Sequence, residues 1–233
     1  MSIIADNIEE IRKNIEKICL RAGRNPKEIQ LIAVSKTFGE EKILEAMKSG
    51  IVDFGENYVQ EILEKQQHLQ KNLLRWHFIG HLQSNKVKYI IDWVYMIHSV
   101  ESETLAKKIQ KRAEKIGRTI PILVEVNTSE EATKFGARPE KAVEFIRSIA
   151  HFPNLEIQGL MTIGPFTLDV AQTRTAFQTL KSIFNEVNAK NILSKPMQHL
   201  SMGMTHDYEI AIEEGATMLR IGTAIFGKRE KKV

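Results

Sequence analysis

A single cysteine, Cys19, excludes an internal disulfide and any thiolate-rich metal site. Six prolines and 13 glycines in 233 residues are too few for a collagen-like or low-complexity chain, and no Pro-, Gly- or Ser-rich stretch offers a linker. Aromatic residues make up only 7% of the chain, and the basic stripe with interleaved aromatics that marks a nucleic-acid binder is missing. No apolar run approaches the roughly 18 residues of a membrane span. The first ten residues, with Asp6, Glu9 and Glu10, lack the basic start and apolar stretch of a secretory leader. What remains is 42% hydrophobic and 27% charged, an ordinary globular composition. The net charge of +4 is mostly local, because Lys228-Arg229-Glu230-Lys231-Lys232 carries +3 of it. The expectation is one cytoplasmic domain over residues 1–233, with a solvated basic tail from 227 to 233. It is expected to be monomeric and to have no nucleic-acid or membrane partner.

The first segment reads as a helix, with Ile8, Ile11, Ile15 and Ile18 at helical spacing and Gly23 with Pro26 ending it. Cys19 lies beside that stripe as a small core residue. Leu31-Ile32-Ala33-Val34 is continuously apolar, as expected of a strand buried on both faces. A helix with Ile43, Leu44 and Met47 follows. The unit then repeats. Strand-like runs are predicted at Val52–Phe54, Trp76–Ile79, Val94–Ile97, Ile120–Val126, Leu155–Ile163, Met197–Leu200 and Met218–Ile221, each followed by a helical pattern. Eight such alternations predict parallel strands closed into an α/β (β/α)8 TIM barrel with an extra N-terminal helix. No Gly-x-Gly-x-x-Gly follows the first strand, which weighs against an open Rossmann sheet.

Barrel chemistry lies at the C-terminal ends of the strands. After strand one comes Ser35-Lys36-Thr37. A lysine buried there would lose charge and become able to attack a carbonyl; one that has reached water would not. After strand two, Glu56 and Asn57 are expected to cap the next helix. His77 and His81 are four apart on a predicted strand, more than about 13 Å along the chain, so no metal pair is expected. Strand seven leads into Ser201-Met202-Gly203-Met204-Thr205, and strand eight carries Arg220-Ile221-Gly222-Thr223. Barrels frequently bind phosphate with these two loops and a short extra helix, although both glycines also suit plain turns. Alternation places Met218, Arg220 and Gly222 on one face, so Arg220 either meets a ligand or pairs with a carboxylate. An amine at one strand end and an anion cradle at two others call for a ligand with a carbonyl and a phosphate. Pyridoxal 5′-phosphate (PLP) and several sugar phosphates qualify.

Five strings narrow that choice: Ala33-Val34-Ser35-Lys36-Thr37, Phe54-Gly55-Glu56-Asn57-Tyr58-Val59-Gln60-Glu61, His77-Phe78-Ile79-Gly80-His81-Leu82-Gln83-Ser84-Asn85-Lys86, Leu200-Ser201-Met202-Gly203-Met204 and Arg220-Ile221-Gly222-Thr223-Ala224-Ile225-Phe226-Gly227. In order and spacing, the chain resembles the pyridoxal phosphate homeostasis proteins, also called the YggS or proline synthase co-transcribed family. The resemblance implies a fold-type III PLP-binding barrel like the alanine racemase N-terminal domain. It implies Lys36 as the residue bonded to the PLP aldehyde, with Ser201, Gly222 and Thr223 as phosphate contacts and Gly203 in the same loop. Arg220 would face the pyridine nitrogen and Asn57 would lie beside the ring. Thr205 stands where the family usually has serine and Glu101 where aspartate is common; Thr205 keeps the hydroxyl.

A permanent cation at the ring nitrogen keeps it unprotonated, which weakens the ring as an electron sink. Racemases of similar fold add an acid/base residue from a further β-domain, for which the sequence after strand eight leaves little length. The expected function is therefore a non-catalytic vitamin B6 binding protein. It would hold PLP as a reversible lysine Schiff base, maintain PLP homeostasis and hand the cofactor to PLP-dependent apoenzymes. A PLP-dependent racemase and a Schiff-base aldolase are the alternatives.

Overall fold

The structure, a computed structural model, describes residues 2–69, 73–129, 131 and 135–228. Eight parallel strands close on themselves in chain order: β1 (Gln30–Val34), β2 (Asp53–Glu56), β3 (Arg75–Phe78), β4 (Met96–Val100), β5 (Ile120–Glu125), β6 (Leu155–Met161), β7 (His199–Ser201) and β8 (Met218–Ile221). The last strand returns to the first, with Ile32 beside Arg220 and Ala33 beside Ile221. The predicted α/β barrel is thus the fold.

Two apolar layers follow from the two faces of each strand. Ile32, Met96, Leu123, Met161 and Met218 plug the inside of the barrel. The opposite faces, including Ala33, Phe54, Phe78, Leu219 and Ile221, form a larger core with the surrounding helices. Those helices are α2 (Glu40–Lys48), α3 (Val59–His68), α4 (Val87–Ile90), α5 (Glu103–Lys115), α6 (Pro139–Ile149), α7 (Val170–Ala189), α8 (Tyr208–Glu213) and a last short turn, α9 (Thr223–Phe226).

The extra helix α1 (Ile3–Arg21) precedes them, capped by the Ser2 hydroxyl. It buries Ile4, Ile8, Ile11, Ile15, Ile18 and Cys19, and burial pushes the Cys19 thiol pKa upward. Asn7 donates to the Ile225 carbonyl, and Arg24 donates to the carbonyls of Ile212 and Ala216. The N-terminal segment is therefore fastened to the last barrel unit, beside the β1–β8 seam. Among the described residues, no helix is long and apolar enough to cross a membrane. Of the basic tail, residues 229–233 lie outside the described residues.

Two strand boundaries differ from the predicted ones in a way that matters. β2 extends through Gly55 and Glu56, and β4 runs from Met96 to Val100 rather than ending at Ile97. In both cases polar residues occupy buried strand positions that a purely apolar pattern passes over.

Candidate functional site

Lys36 follows β1 at the C-terminal rim, but it does not continue the strand. It is the first central residue of a turn closed by the Phe38 amide on the Ser35 carbonyl, at 3.1 Å. Thr37, next in that turn, has φ 70°, the left-handed geometry that a type II turn requires at its second central position. A β-branched residue adopts it only when its surroundings hold it there. They do. Lys65 on α3 donates to the Ser35 carbonyl at 2.8 Å, to Glu56 Oε1 at 2.6 Å and to Glu61 Oε1 at 2.7 Å. Glu56 Oε1 accepts from the Ser35 hydroxyl at 2.7 Å, and Glu61 Oε1 accepts from the Thr37 amide. Both neighbours of Lys36 are thus pinned from the outer layer, and Lys36 itself is half-buried.

This corrects the expected role of Glu56. The N-cap of α3 is Tyr58, with no side-chain cap bond, so neither Glu56 nor Asn57 caps that helix. Glu56 is fully buried, and burial pushes its pKa up to about 7 although Lys65 and Ser35 pull it back. Its Oε2 and the neighbouring Asn57 Oδ1 are buried without a hydrogen-bond partner among the described residues. Asn57 follows the end of β2, the strand beside β1, so its orphaned acceptor stands on the rim next to Lys36.

On the other side of Lys36 lies the end of β8. A Cβ at Gly222 would sit 3.4 Å from the Val34 carbonyl and 3.5 Å from the Val34 Cβ, so this glycine faces the β1 terminus across the seam. Thr223 opens α9 and is exposed, and its hydroxyl donates to Thr205 Oγ1 at 3.1 Å. Thr205 Oγ1 also accepts from the Ala224 amide at 3.3 Å. Two hydroxyls and a backbone N–H from the two predicted loops therefore converge at one point. Gly203 has a different duty. At φ 94°, a Cβ there would lie 2.6 Å from the Ala211 Cβ and 2.9 Å from Leu219 Cδ2, so it lets α8 pack against β8.

Arg220 sits deeper, level with Ile32, on the inner face with Met218 as alternation requires. Its guanidinium donates to Ser201 Oγ at 2.7 Å and to the Thr162 carbonyl at 2.7 Å. Both acceptors are neutral. Burial pulls its pKa down to about 10, with Asp207 and Glu125 acting from further away to hold the charge. Ser201 is likewise fully buried, its hydroxyl shared between Arg220 and His98 Nδ1 at 3.0 Å. Arg220 and Ser201 thus share the barrel interior, whereas Thr205, Gly222 and Thr223 stand at the rim above.

Several site residues lacked a sequence signal. Glu125, two positions after the inward Leu123, faces the same interior, and burial pushes its pKa to about 7, with Glu101 adding to the rise. His98 was hidden by the displaced β4 boundary. Lys65 was readable only as the i+4 partner of Glu61. His77 and His81 part company: His77 is fully buried against Asp53 and His98, whereas exposed His81 pairs with Glu101 and stacks on Phe135 at 3.9 Å.

Taken together, the rim and interior offer one lysine in a braced turn, a cluster of two hydroxyls and a backbone N–H, an amide oxygen unpartnered among the described residues and a buried guanidinium. That donor set fits a ligand with an aldehyde, a phosphate and a ring nitrogen, such as PLP.

Comparison with known proteins agrees. The alanine racemase N-terminal domain family matches residues 7–230. A pyridoxal phosphate homeostasis protein of Aquifex aeolicus is 43% identical over 225 residues, covering 97% of this chain and 98% of the relative. One from Pseudomonas aeruginosa is 39% identical, covering 99% and 97%. The structure of PipY from Synechococcus elongatus with PLP bound has a TM-score of 0.84 at 33% identity, covering 96% of this chain and all of that one. An alanine racemase from Clostridium difficile shares the fold at 16% identity and a TM-score of 0.76, and this chain spans 58% of it.

Proposed function

The chain belongs to the pyridoxal phosphate homeostasis family, and we propose that it holds PLP as a reversible Schiff base on Lys36, as part of keeping the cellular PLP supply. Bound PLP supplies an aldehyde that condenses reversibly with an amine. The chain's residues would do the rest. Lys36 provides that amine from a turn whose two flanks are pinned by Lys65, Glu56 and Glu61. Thr205, Thr223 and the Ala224 amide would take the phosphate, with Gly222 leaving room beside Val34. Gly203 would serve that cradle indirectly by setting the loop against α8, and Ser201 would serve the ring-nitrogen end by holding Arg220. Arg220 would meet the ring nitrogen and Asn57 the ring's edge.

The observation that carries this reading is the convergence of Lys36, Gly222 and Thr223 on adjoining strand ends, β1 and β8, at one rim. Its support in the comparisons is the relatives' name and PLP in the PipY structure. We read the protein as a carrier rather than an enzyme, working as one barrel unit and as a monomer in the cytoplasm, with PLP-dependent apoenzymes as recipients. Arg220 favours this. A guanidinium that stays charged gives the ring nitrogen no proton, so carbanion chemistry gains little.

The experiment is spectroscopic. Wild-type protein mixed with PLP gains a near-visible absorbance band that survives gel filtration, and Lys36→Ala does not. A wild-type protein that retains no PLP overturns the proposal. Turnover of an amino-acid panel at ordinary enzymatic rates overturns the carrier reading alone.

A further inference from the structure

The interior of the barrel holds a continuous polar column that no binding role at the rim requires. It starts at the N-terminal end, where half-exposed Arg75 donates to Asp53 Oδ2 at 2.6 Å. Asp53 Oδ1 lies 3.0 Å from His77 Nε2, His77 Nδ1 2.9 Å from His98 Nε2, and His98 Nδ1 3.0 Å from Ser201 Oγ. Ser201 Oγ then accepts from Arg220. The five links cross the barrel from the first residues of β2 and β3 to the guanidinium beneath the mouth. A column like this displaces apolar packing, and buried polar groups persist only when every member is satisfied.

The ends dictate the direction of every hydrogen. Arg220 can only donate, so Ser201 accepts from it and has one hydrogen to give. Among the described residues, His98 Nδ1 is the other group within reach of that hydroxyl, so it is the acceptor, and the His98 hydrogen must reside on Nε2. That hydrogen goes to His77 Nδ1, and the His77 hydrogen on Nε2 goes to Asp53. The reverse orientation makes His77 a buried cation and leaves the Ser201 O–H without an acceptor among the described residues. Burial opposes such a cation. It holds His98 well below its usual pKa, with His77, Arg220 and His199 adding to the effect, and it lowers His77 even against the pull of Asp53.

We propose that Asp53, His77, His98 and Ser201 form a one-way hydrogen-bond relay of neutral imidazoles that orients the Arg220 guanidinium and couples it to a carboxylate at the opposite end of the barrel. The four are positioning residues, acting on the ligand only through Arg220. The relay gives a guanidinium bonded to a serine and a peptide carbonyl, with no carboxylate in contact among the described residues, an indirect link to one: each link is polarised by the next, and the chain ends on a negative charge. The relay itself is read on the protein alone, and only its consequence for binding rests on the PLP reading above.

The test has two arms. Nitrogen-15 NMR of the PLP-free protein, with signals assigned through His77→Gln and His98→Gln, should show both rings neutral with the hydrogen on Nε2. Ser201→Ala should leave both hydrogens on Nε2, because Asp53 still fixes His77 and, through it, His98; should that variant fail to fold, the wild-type tautomers decide. A cationic ring, or a hydrogen on Nδ1 of either, overturns the relay. The second arm is a double-mutant cycle on PLP affinity. Asp53→Asn should weaken binding by about fivefold or more, within the usual span of coupled sites. Asp53→Asn combined with Arg220→Lys should be no weaker than Arg220→Lys alone. Independent, additive effects overturn the coupling, since distant unlinked sites add. If wild-type protein binds no PLP, the functional reading fails while the tautomers still decide the relay.

Discussion

Lys65 and Glu56 form a buried ion pair at 2.6 Å directly beneath the turn that presents Lys36. One ammonium serves two carboxylates and a peptide carbonyl, so its loss strands Glu56 and frees both flanks of Lys36. Lys65→Met should cost about 3–5 kcal/mol in urea unfolding, the usual result of orphaning a buried charge. Lys65→Met with Glu56→Leu should recover part of that loss. A single variant as stable as wild type would contradict the brace.

Glu125 supplies a pH prediction. Its pKa is raised by burial first and by Glu101 second, to about 7 from an unfolded value near 4.5. The folded state therefore binds its proton more tightly, and this contribution is full below pH 4.5 and lost as pH rises through 7. The difference between those two values corresponds to about 3 kcal/mol at most. Glu125→Gln should match wild type in urea midpoint at pH 4.5 and exceed it at pH 8. A gain that is equal at both values contradicts the assignment.

The two loop glycines, Gly203 and Gly222, should separate cleanly. Gly203→Val places a side chain at φ 94°, within 2.6 Å of the Ala211 Cβ, and should cost about 1–3 kcal/mol in thermal or urea unfolding. Gly222→Ala meets only ordinary contacts at 3.4–3.5 Å and should leave stability nearly intact while weakening PLP binding about tenfold. Equal effects on stability would show that both are turn glycines.

Thr205→Val keeps the shape of the side chain but removes the oxygen on which the Thr223 hydroxyl and the Ala224 amide converge. PLP affinity should fall about tenfold by equilibrium dialysis, and Thr205→Ser should restore it. Unchanged affinity in the valine variant would remove Thr205 from the cradle.

The barrel was legible because each strand is buried on both faces and so reads as an apolar run between helical stripes. The positions of Lys36, Arg220, Gly222 and Thr223 in the barrel were legible because β8 alternates strictly and both loops follow strand ends. The polar column was not. His98 and Ser99 extend β4 beyond its apolar stretch, and Asp53, though inside the predicted strand Val52–Phe54, carries no local signal that it faces the barrel interior. The brace under Lys36 escaped for another reason. Lys65, on the buried face of α3, is matched by Glu56 and Ser35, far away in sequence, and only tertiary packing brings them together.

The most direct measurement is to reduce the PLP complex with borohydride, digest it and weigh the peptides. The account predicts one phosphopyridoxyl group per chain, on the peptide containing Lys36. An unmodified Lys36 beside a labelled lysine elsewhere, or no label at all, would contradict it.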